Sequence, residues 1–353
     1  LTKENAMHLR TLLKATAGLA AGALILTGCG SAGSTGSSAS GNKVGLDLPR
    51  SDSDFWNAYA KYVPQKASSL GVDLMPVTNS QNNTGTLASN AQTLVAQGAK
   101  SVVIAPQDTG AVISTVKMLD NKKIPVITVD TRPDSGKVFM TVRADNKAYG
   151  TKACDFLGQQ LHNNGAVVEF EGALNSINGR DRSQAFGDCM QQKYPGIKVY
   201  AEPTNWDGPT AAADLQTVMA QHPDINGIYM QAGGVFLAPT LAALKSKGKL
   251  VPAGRPGHIT IVSNDGIPQE YTAIRTGQID ATVSQPADLY AQYALFYAKA
   301  ALAGTTFKPG PTDHGSTIVS WGDGNLEDQL PAPLVTKANV DDKSLWGNQL
   351  DQS

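Results

Sequence analysis

Ile124-Pro125-Val126-Ile127-Thr128-Val129-Asp130-Thr131-Arg132-Pro133 decides how this chain folds. The first six residues are a short apolar run rich in β-branched side chains. Such a run reads as a strand buried on both faces of a parallel sheet. It stops at an acid, a hydroxyl, a guanidinium and a proline, and proline removes the donor that a central strand needs. In open α/β sheets, ligands bind beyond the carboxyl ends of strands. Asp130 accepts hydrogen bonds and Arg132 donates a fork, which suits a ligand rich in hydroxyls. A strand-capping acid beside a solvated Arg is the alternative, so the flanking chain must decide.

Working outward, the pattern alternates between strand and helix. Strands are expected at 43–48, 72–78, 102–105, 124–129 and 138–142, with helices near 55–70, 87–95 and 109–120 between them. A second run follows, with strands at 166–170, 198–201, 227–230, 259–263 and 281–284. Its helices are expected at 148–161, 183–193, 209–221, 235–245 and 268–276, and a long helix at 287–302 comes after Pro286. Residues 317–320 read as a last short strand, and the tail from Trp321 as loop and turns. These repeats predict an α/β chain of two Rossmann-like lobes with parallel sheets and right-handed crossovers.

Of 353 residues, 41% are hydrophobic and 17% charged, enough to bury a large core. Lys and Arg number 29 against 30 Asp and Glu, a balance that argues against nucleic acid or an anionic membrane surface as the main partner. His8, His162, His222, His258 and His314 show no metal-ligand spacing, and there is no C-x-x-C or Walker A pattern, so no metal is expected. Gly28, Gly30 and Gly33 fit G-x-G-x-x-G, but no strand precedes them, and no cofactor is expected either.

The first 29 residues read as an export leader. Met7–Lys14 is a positive region, 15–26 a short apolar core, and Leu26-Thr27-Gly28-Cys29 is similar to the lipobox of bacterial lipoproteins. Cys29 is then the acylated residue, 30–42 a Gly/Ser tether, and the domain lies outside the cytoplasm, anchored to the cell membrane by its lipid. In that oxidising compartment Cys154 and Cys189 are favoured as a disulfide over two separate buried thiols.

Several strand ends carry polar or aromatic groups. Ser53, Asp54, Phe55 and Trp56 follow the first strand. Arg180, Asp181 and Arg182 follow the strand at 166–170, and Asn205, Trp206 and Asp207 the next. Asn264 and Asp265 end the strand at 259–263, and Gln285 the one at 281–284. No G-x-S-x-G occurs, and no His stands beside a Ser or Cys at a strand end. Acids, Arg, amides and aromatics together suit a neutral polyhydroxy ligand whose C–H face packs on Trp or Phe.

Read in order, these segments resemble the ribose/galactose type of periplasmic binding protein, the type I sugar-binding proteins of ABC importers. The resemblance runs from about Lys43 to Ser320. It is carried by residues 43–56, SQNN at 80–83, 103–108, IPVITVD at 124–130, GRDRSQAF at 179–186, NDGIP at 264–268 and ATVSQP at 281–286. It implies two lobes joined by three hinge crossovers, near 143–145, 285–286 and 315–317. One lobe then comprises 43–144 with 286–315, and the other 145–285 with 316–353. By the same resemblance Asp130 is the first lobe's acid, Arg182 and Asp265 the second lobe's Arg and acid, and Gln285 the hinge amide. Phe55 and Trp56 are the aromatic pair, Trp206 the stacking ring, and Ser53 a polar contact. Two departures stand out. Ribose binders place Arg directly after the acid, where Thr131 stands here. An Asn-Asp is replaced by Gln231-Ala232-Gly233-Gly234, in which Gln231 is expected to contact the ligand and the glycines to line the cleft wall.

The expected function is an extracytoplasmic, monomeric lipoprotein that captures a sugar or polyol between its lobes, does no chemistry, and delivers it to the permease of an ABC transporter. Two rivals are a sensory module presenting ligand to a membrane receptor, and a glycosidase using Asp130 and Asp265 as paired acids.

Overall fold

The structure, a computed structural model, describes residues 41–350. The leader, Cys29 and most of the tether lie outside these residues. The chain begins with β1 (Val44–Leu48), α1 (Asp54–Leu70), β2 (Thr78–Asn79), α2 (Thr84–Ala96), β3 (Ser101–Ile104), α3 (Ile113–Asn121), β4 (Val126–Val129) and β5 (Met140–Ala144). The second lobe follows with α4 (Asn146–Gln160), β6 (Gly165–Glu171), α5 (Ile177–Lys193), β7 (Ile197–Pro203), α6 (Gly208–Gln221), β8 (Ile225–Met230), α7 (Gly233–Ser246), β9 (Thr260–Asp265), α8 (Pro268–Arg275) and β10 (Ala281–Ser284). The chain then returns to the first lobe with α9 (Ala287–Leu302), β11 (Gly310–Pro311), β12 (Thr317–Gly322) and β13 (Asn325–Leu330). It crosses once more to β14 (Leu334–Thr336) and α10 (Trp346–Gln349).

The first sheet has the order β11-β12-β13-β5-β4-β3-β1-β2, and the second β14-β10-β9-β8-β6-β7. All pairings are parallel except those of β11, β12 and β14. Local sequence explains the elements. Phe55, Trp56, Tyr59, Tyr62 and Val63 recur at helical spacing and are the buried face of α1. That helix stops at Gly71, whose φ of 60° is the left-handed turn that glycine adopts without strain. β3 and β4 are buried along their whole length, as their continuous apolar runs require.

Three crossovers join the lobes. Two fall where expected, between β5 and α4 and between β10 and α9, and Tyr290 ties them together. Its hydroxyl accepts the Ala144 N–H at 2.8 Å and donates to Gln285 Oε1 at 3.4 Å. The third is not at 315–317. It runs through Pro331-Ala332-Pro333, because β12 and β13 form a hairpin that extends the first sheet, with β13 parallel to β5. Residues 316–330 therefore belong to the first lobe. The sequence NLEDQL hid this strand because two of its buried residues, Glu327 and Asp328, are acids. The strand expected at 72–78 shrinks to a single bridge at Leu74 and the two residues of β2, since Pro76 brings no donor to a ladder.

Cys154 on α4 and Cys189 on α5 are joined in a disulfide, with their Cα atoms 6.2 Å apart. Among the described residues no helix is long and apolar enough to cross a membrane.

Candidate functional site

The carboxyl ends of both sheets face one cleft, lined by residues of both lobes. Its lips meet. The Thr109 N–H donates to the Asn175 carbonyl at 3.1 Å, Asn175 Nδ2 to Asp108 at 2.9 Å, and Arg180 pairs with Asp134 at 2.5 Å. Arg50, from the loop after β1, reaches across to the Trp206 carbonyl at 3.2 Å.

Asp130 directly follows β4 and is buried. Its φ of 66° is left-handed, a conformation that Asp tolerates better than most residues. This turn directs the carboxylate into the cleft instead of along the sheet. Oδ2 accepts from Asn178 Nδ2 at 3.0 Å, while Oδ1 is buried with no hydrogen-bond partner in the protein. Burial raises its pKa, against the opposing pull of Arg182 and Arg143 and the bond from Asn178. Thr131 Oγ1, also on the cleft, is buried and unpartnered too.

In the second lobe, Asp265 ends β9 with a φ of 118°, a region that costs a non-glycine residue roughly 1–3 kcal/mol. Local hydrogen bonds hold it there. Oδ2 accepts the Gly234 N–H at 2.7 Å, and Oδ1 accepts Gln285 Nε2 at 2.5 Å. Behind it Glu270 is fully buried and accepts the Gly266 and Ile267 N–H groups at 2.6 and 3.0 Å. Burial pushes both acids up, Asp265 to about 7 and Glu270 to about 8; the Asp130 charge adds to the rise of Asp265, and the Asp265 charge to that of Glu270.

Arg182, on the first turns of α5, is 2% exposed. It donates to Asn146 Oδ1 at 2.6 Å, to the Gln231 carbonyl at 2.5 Å and to Gln285 Oε1 at 3.3 Å. Its guanidinium lies 5.0 Å from the Tyr149 ring and 5.7 Å from that of Trp206. Trp206 reaches the cleft because both it and Asn205 are left-handed (φ 58° and 53°), just before Asp207 caps α6. Its indole lies over Gly172, where a Cβ would come within 1.9 Å of the ring. Phe55 and Trp56 face it from the first lobe, packed edge-on at 5.4 Å.

The cleft thus brings together Ser53, Phe55, Trp56, Asp130, Arg182, Trp206, Asp265 and Gln285. It does not include three other expected residues. Asp54 begins α1 and is exposed on the outer face. Arg132 turns away, stacking 4.6 Å over Trp321 and pairing with Glu327 at 3.4 Å. Gln231 lies beneath the floor. Its amide accepts from the Gly172 N–H at 3.0 Å and donates to Glu169 and Ser183, both at 2.8 Å. The expectation for the two glycines is also corrected. The wall is formed by their neighbours Ala232 and Val235, while Gly233 backs onto Glu270, and Gly234 onto Ser53 and Asp265.

Four further lining residues escaped the sequence reading: Arg50, Gln107, Ser176 and Asn178. Gln107 lies just past β3, where the rule about carboxyl ends of strands pointed. Ser176 and Asn178 were missed because α5 begins at Ile177, earlier than its apolar spacing suggested. Among the described residues, the one cluster with metal-like spacing is Cys154, Asp155 and Cys189, and its two sulfurs are bonded to each other.

The geometry agrees with the comparisons with known proteins. The family model described as a periplasmic binding protein domain matches residues 44–306, and the chain belongs to that family. Its two lobes and three crossovers are the type I form of the fold. A ribose import binding protein of Salmonella typhimurium is 27% identical over 245 residues, covering 69% of this chain and 79% of that protein. A xylitol-binding protein of Mycolicibacterium smegmatis is 27% identical over 338 residues, covering 95% of this chain and 88% of that protein. A solved ABC transporter solute-binding protein from Mycobacterium smegmatis, with bound glycerol, shares the fold with a TM-score of 0.73 at 22% identity, over 84% of this chain and 95% of that one.

Proposed function

We propose that this protein captures a neutral sugar or polyol of pentose to hexose size between its lobes and delivers it, outside the cytoplasm, to an ABC permease. It performs no chemistry on the ligand, and a lipid on Cys29 holds it at the membrane. The observation that carries the reading is the pair of buried, unpartnered acceptors at Asp130 Oδ1 and Thr131 Oγ1, facing a cleft with aromatic walls. An unsatisfied buried group costs about 1–3 kcal/mol, and a ligand hydroxyl would remove that cost. The cleft's charges are already balanced. Arg50 is paired with Asp52 at 2.5 and 2.9 Å, and Arg182 offsets two acids, so a phosphate or carboxylate would find no spare cation. The named ligands of the relatives, ribose and xylitol, fit this polarity.

Calorimetric titration of the protein with pentoses, hexoses and alditols tests the proposal. Ligand at a hundred times its dissociation constant should also stabilise the fold by about 2.7 kcal/mol, visible as a rise in melting temperature. Silence across all three classes would count against the reading.

A further inference from the structure

The amide of Asn178 is held from two sides. Its Oδ1 accepts from Arg143 Nη2 at 2.8 Å, and its Nδ2 donates to Asp130 Oδ2 at 3.0 Å and to the Asp130 carbonyl at 3.1 Å. A guanidinium only donates and a carboxylate only accepts. Arg143 therefore fixes which end of the amide meets Asp130. With the amide reversed, a carbonyl oxygen would face a carboxylate and an NH₂ group a guanidinium. The bond from Asn178 occupies Oδ2, while Oδ1 of this cleft-lining acid is buried with no hydrogen-bond partner in the protein.

Asn178 belongs to the second lobe, while Asp130 and Arg143 belong to the first. Arg143 is the penultimate residue of β5, next to the first crossover, and is 3% exposed, as is Asn178. It lies 3.2 Å from Asp181 in the second lobe and 3.6 Å from Glu327 on β13, the strand leading to the third crossover. One buried cation thus touches both lobes beside two hinges and reaches the cleft acid through a single amide. In such a water-poor setting, charge-assisted bonds are stronger than at the surface.

We infer that Arg143 is a positioning residue for ligand capture: acting through Asn178 it orients Asp130 toward the cleft, and through Asn178 and Asp181 it holds the closed lobes together. The orienting role rests on the sugar-binding reading above, whereas the hold on the closed form does not.

The test uses Arg143→Met, Arg143→Lys and Asn178→Ala, with xylitol and D-ribose as probes. Stopped-flow tryptophan fluorescence gives association and dissociation rates. Dissociation should speed up about tenfold or more in Arg143→Met and Asn178→Ala with little change in association, since such contacts act mainly on release. Arg143→Met leaves Asp181 without its cation and Glu327 with Arg132 alone, and it risks unfolding. Asn178→Ala keeps every ion pair, so it must show the effect alone. Arg143→Lys should recover part of it, because one ammonium reaches the amide but does not span all three partners. A merely structural role would lower the melting temperature and leave dissociation unchanged, and that result overturns the orienting role. Solution X-ray scattering without ligand tests the hold. The wild-type chain should be more compact than Asn178→Ala, and equal radii would overturn it. If neither probe binds the wild-type chain, the sugar reading and the orienting role fall together for these ligands, and the scattering result still decides the hold.

Discussion

Each lobe brings one acid to the cleft, and the two acids are treated differently. Asp130 in the first lobe has one oxygen engaged by a side chain from the opposite lobe and the other left open. Asp265 in the second has both oxygens engaged by its own lobe and the adjoining hinge amide. The second lobe is also stapled by a disulfide between α4 and α5 and backed by Glu270. It is a preset wall, and the first lobe offers the unspent acceptor. A shared fold with similar residue types does not make the two carboxylates equivalent.

The largest expected effect comes from removing the group that serves both acids. Arg182→Ala should weaken ligand binding by at least about 100-fold, because hydrogen bonds to a charged group are worth roughly 1.5–3 kcal/mol each and two buried acids lose their shared cation. Titration calorimetry reads this directly, and wild-type affinity in this variant would show that the site is elsewhere. Next, replacing both Cys154 and Cys189 by Ala should cost about 3–4 kcal/mol of stability, judged from the 35-residue separation they close. Limited proteolysis should then cut the second lobe first. Cutting in the first lobe would contradict the asymmetry.

Exchanging the acids one at a time sharpens the contrast. Asp130→Asn should cost about 1.5–3 kcal/mol in affinity with little change in melting temperature. Asp265→Asn should do the reverse, because its new NH₂ group must face the Gly234 N–H or Gln285 Nε2, both donors. Matching profiles for the two variants would remove the distinction.

The smallest effect is a pH slope. Asp265 and Glu270 are raised from 3.8 and 4.5 to about 7 and about 8, so the folded state keeps protons that the unfolded chain releases. Their contribution is present at acid pH and is lost as pH rises from the unfolded values through the folded ones. His258, raised by its bond to Asp280, loses its contribution in the same direction, from the ordinary histidine value upward. Urea midpoints should therefore fall between about pH 5 and about pH 8, and Glu270→Gln should flatten the fall. An unchanged slope in that variant would assign the effect to other groups.

Most of the fold was legible because its strands are apolar runs ended by polar loops. The largest exception was one hairpin, and it explains the misplaced Arg as well. β13 buries Glu327 and Asp328, so it lacks the alternation that marks a strand. Trp321 and Glu327, both from that hairpin, are what draw Arg132 out of the cleft. A residue's position at a strand end says where its Cα lies, whereas its partners decide where the side chain goes. Gln231 shows the same rule, since its amide is consumed by Glu169, Ser183 and Gly172 below the floor. Asp130 and Asp265 stand at the carboxyl ends of β4 and β9, where ligands of open α/β sheets bind, while Arg182 was placed only by the family resemblance, since it lies inside α5.

The indole of Trp206 occupies the space that any side chain at position 172 would need. In genetic terms the two positions form one locus with an enforced order of change. A substitution of Gly172 made first should be rejected, and the same substitution made after Trp206 has given way to a small residue should be tolerated. A drift in ligand preference that swaps the stacking ring for some other group must therefore begin at Trp206, and once Gly172 has been filled the way back is closed.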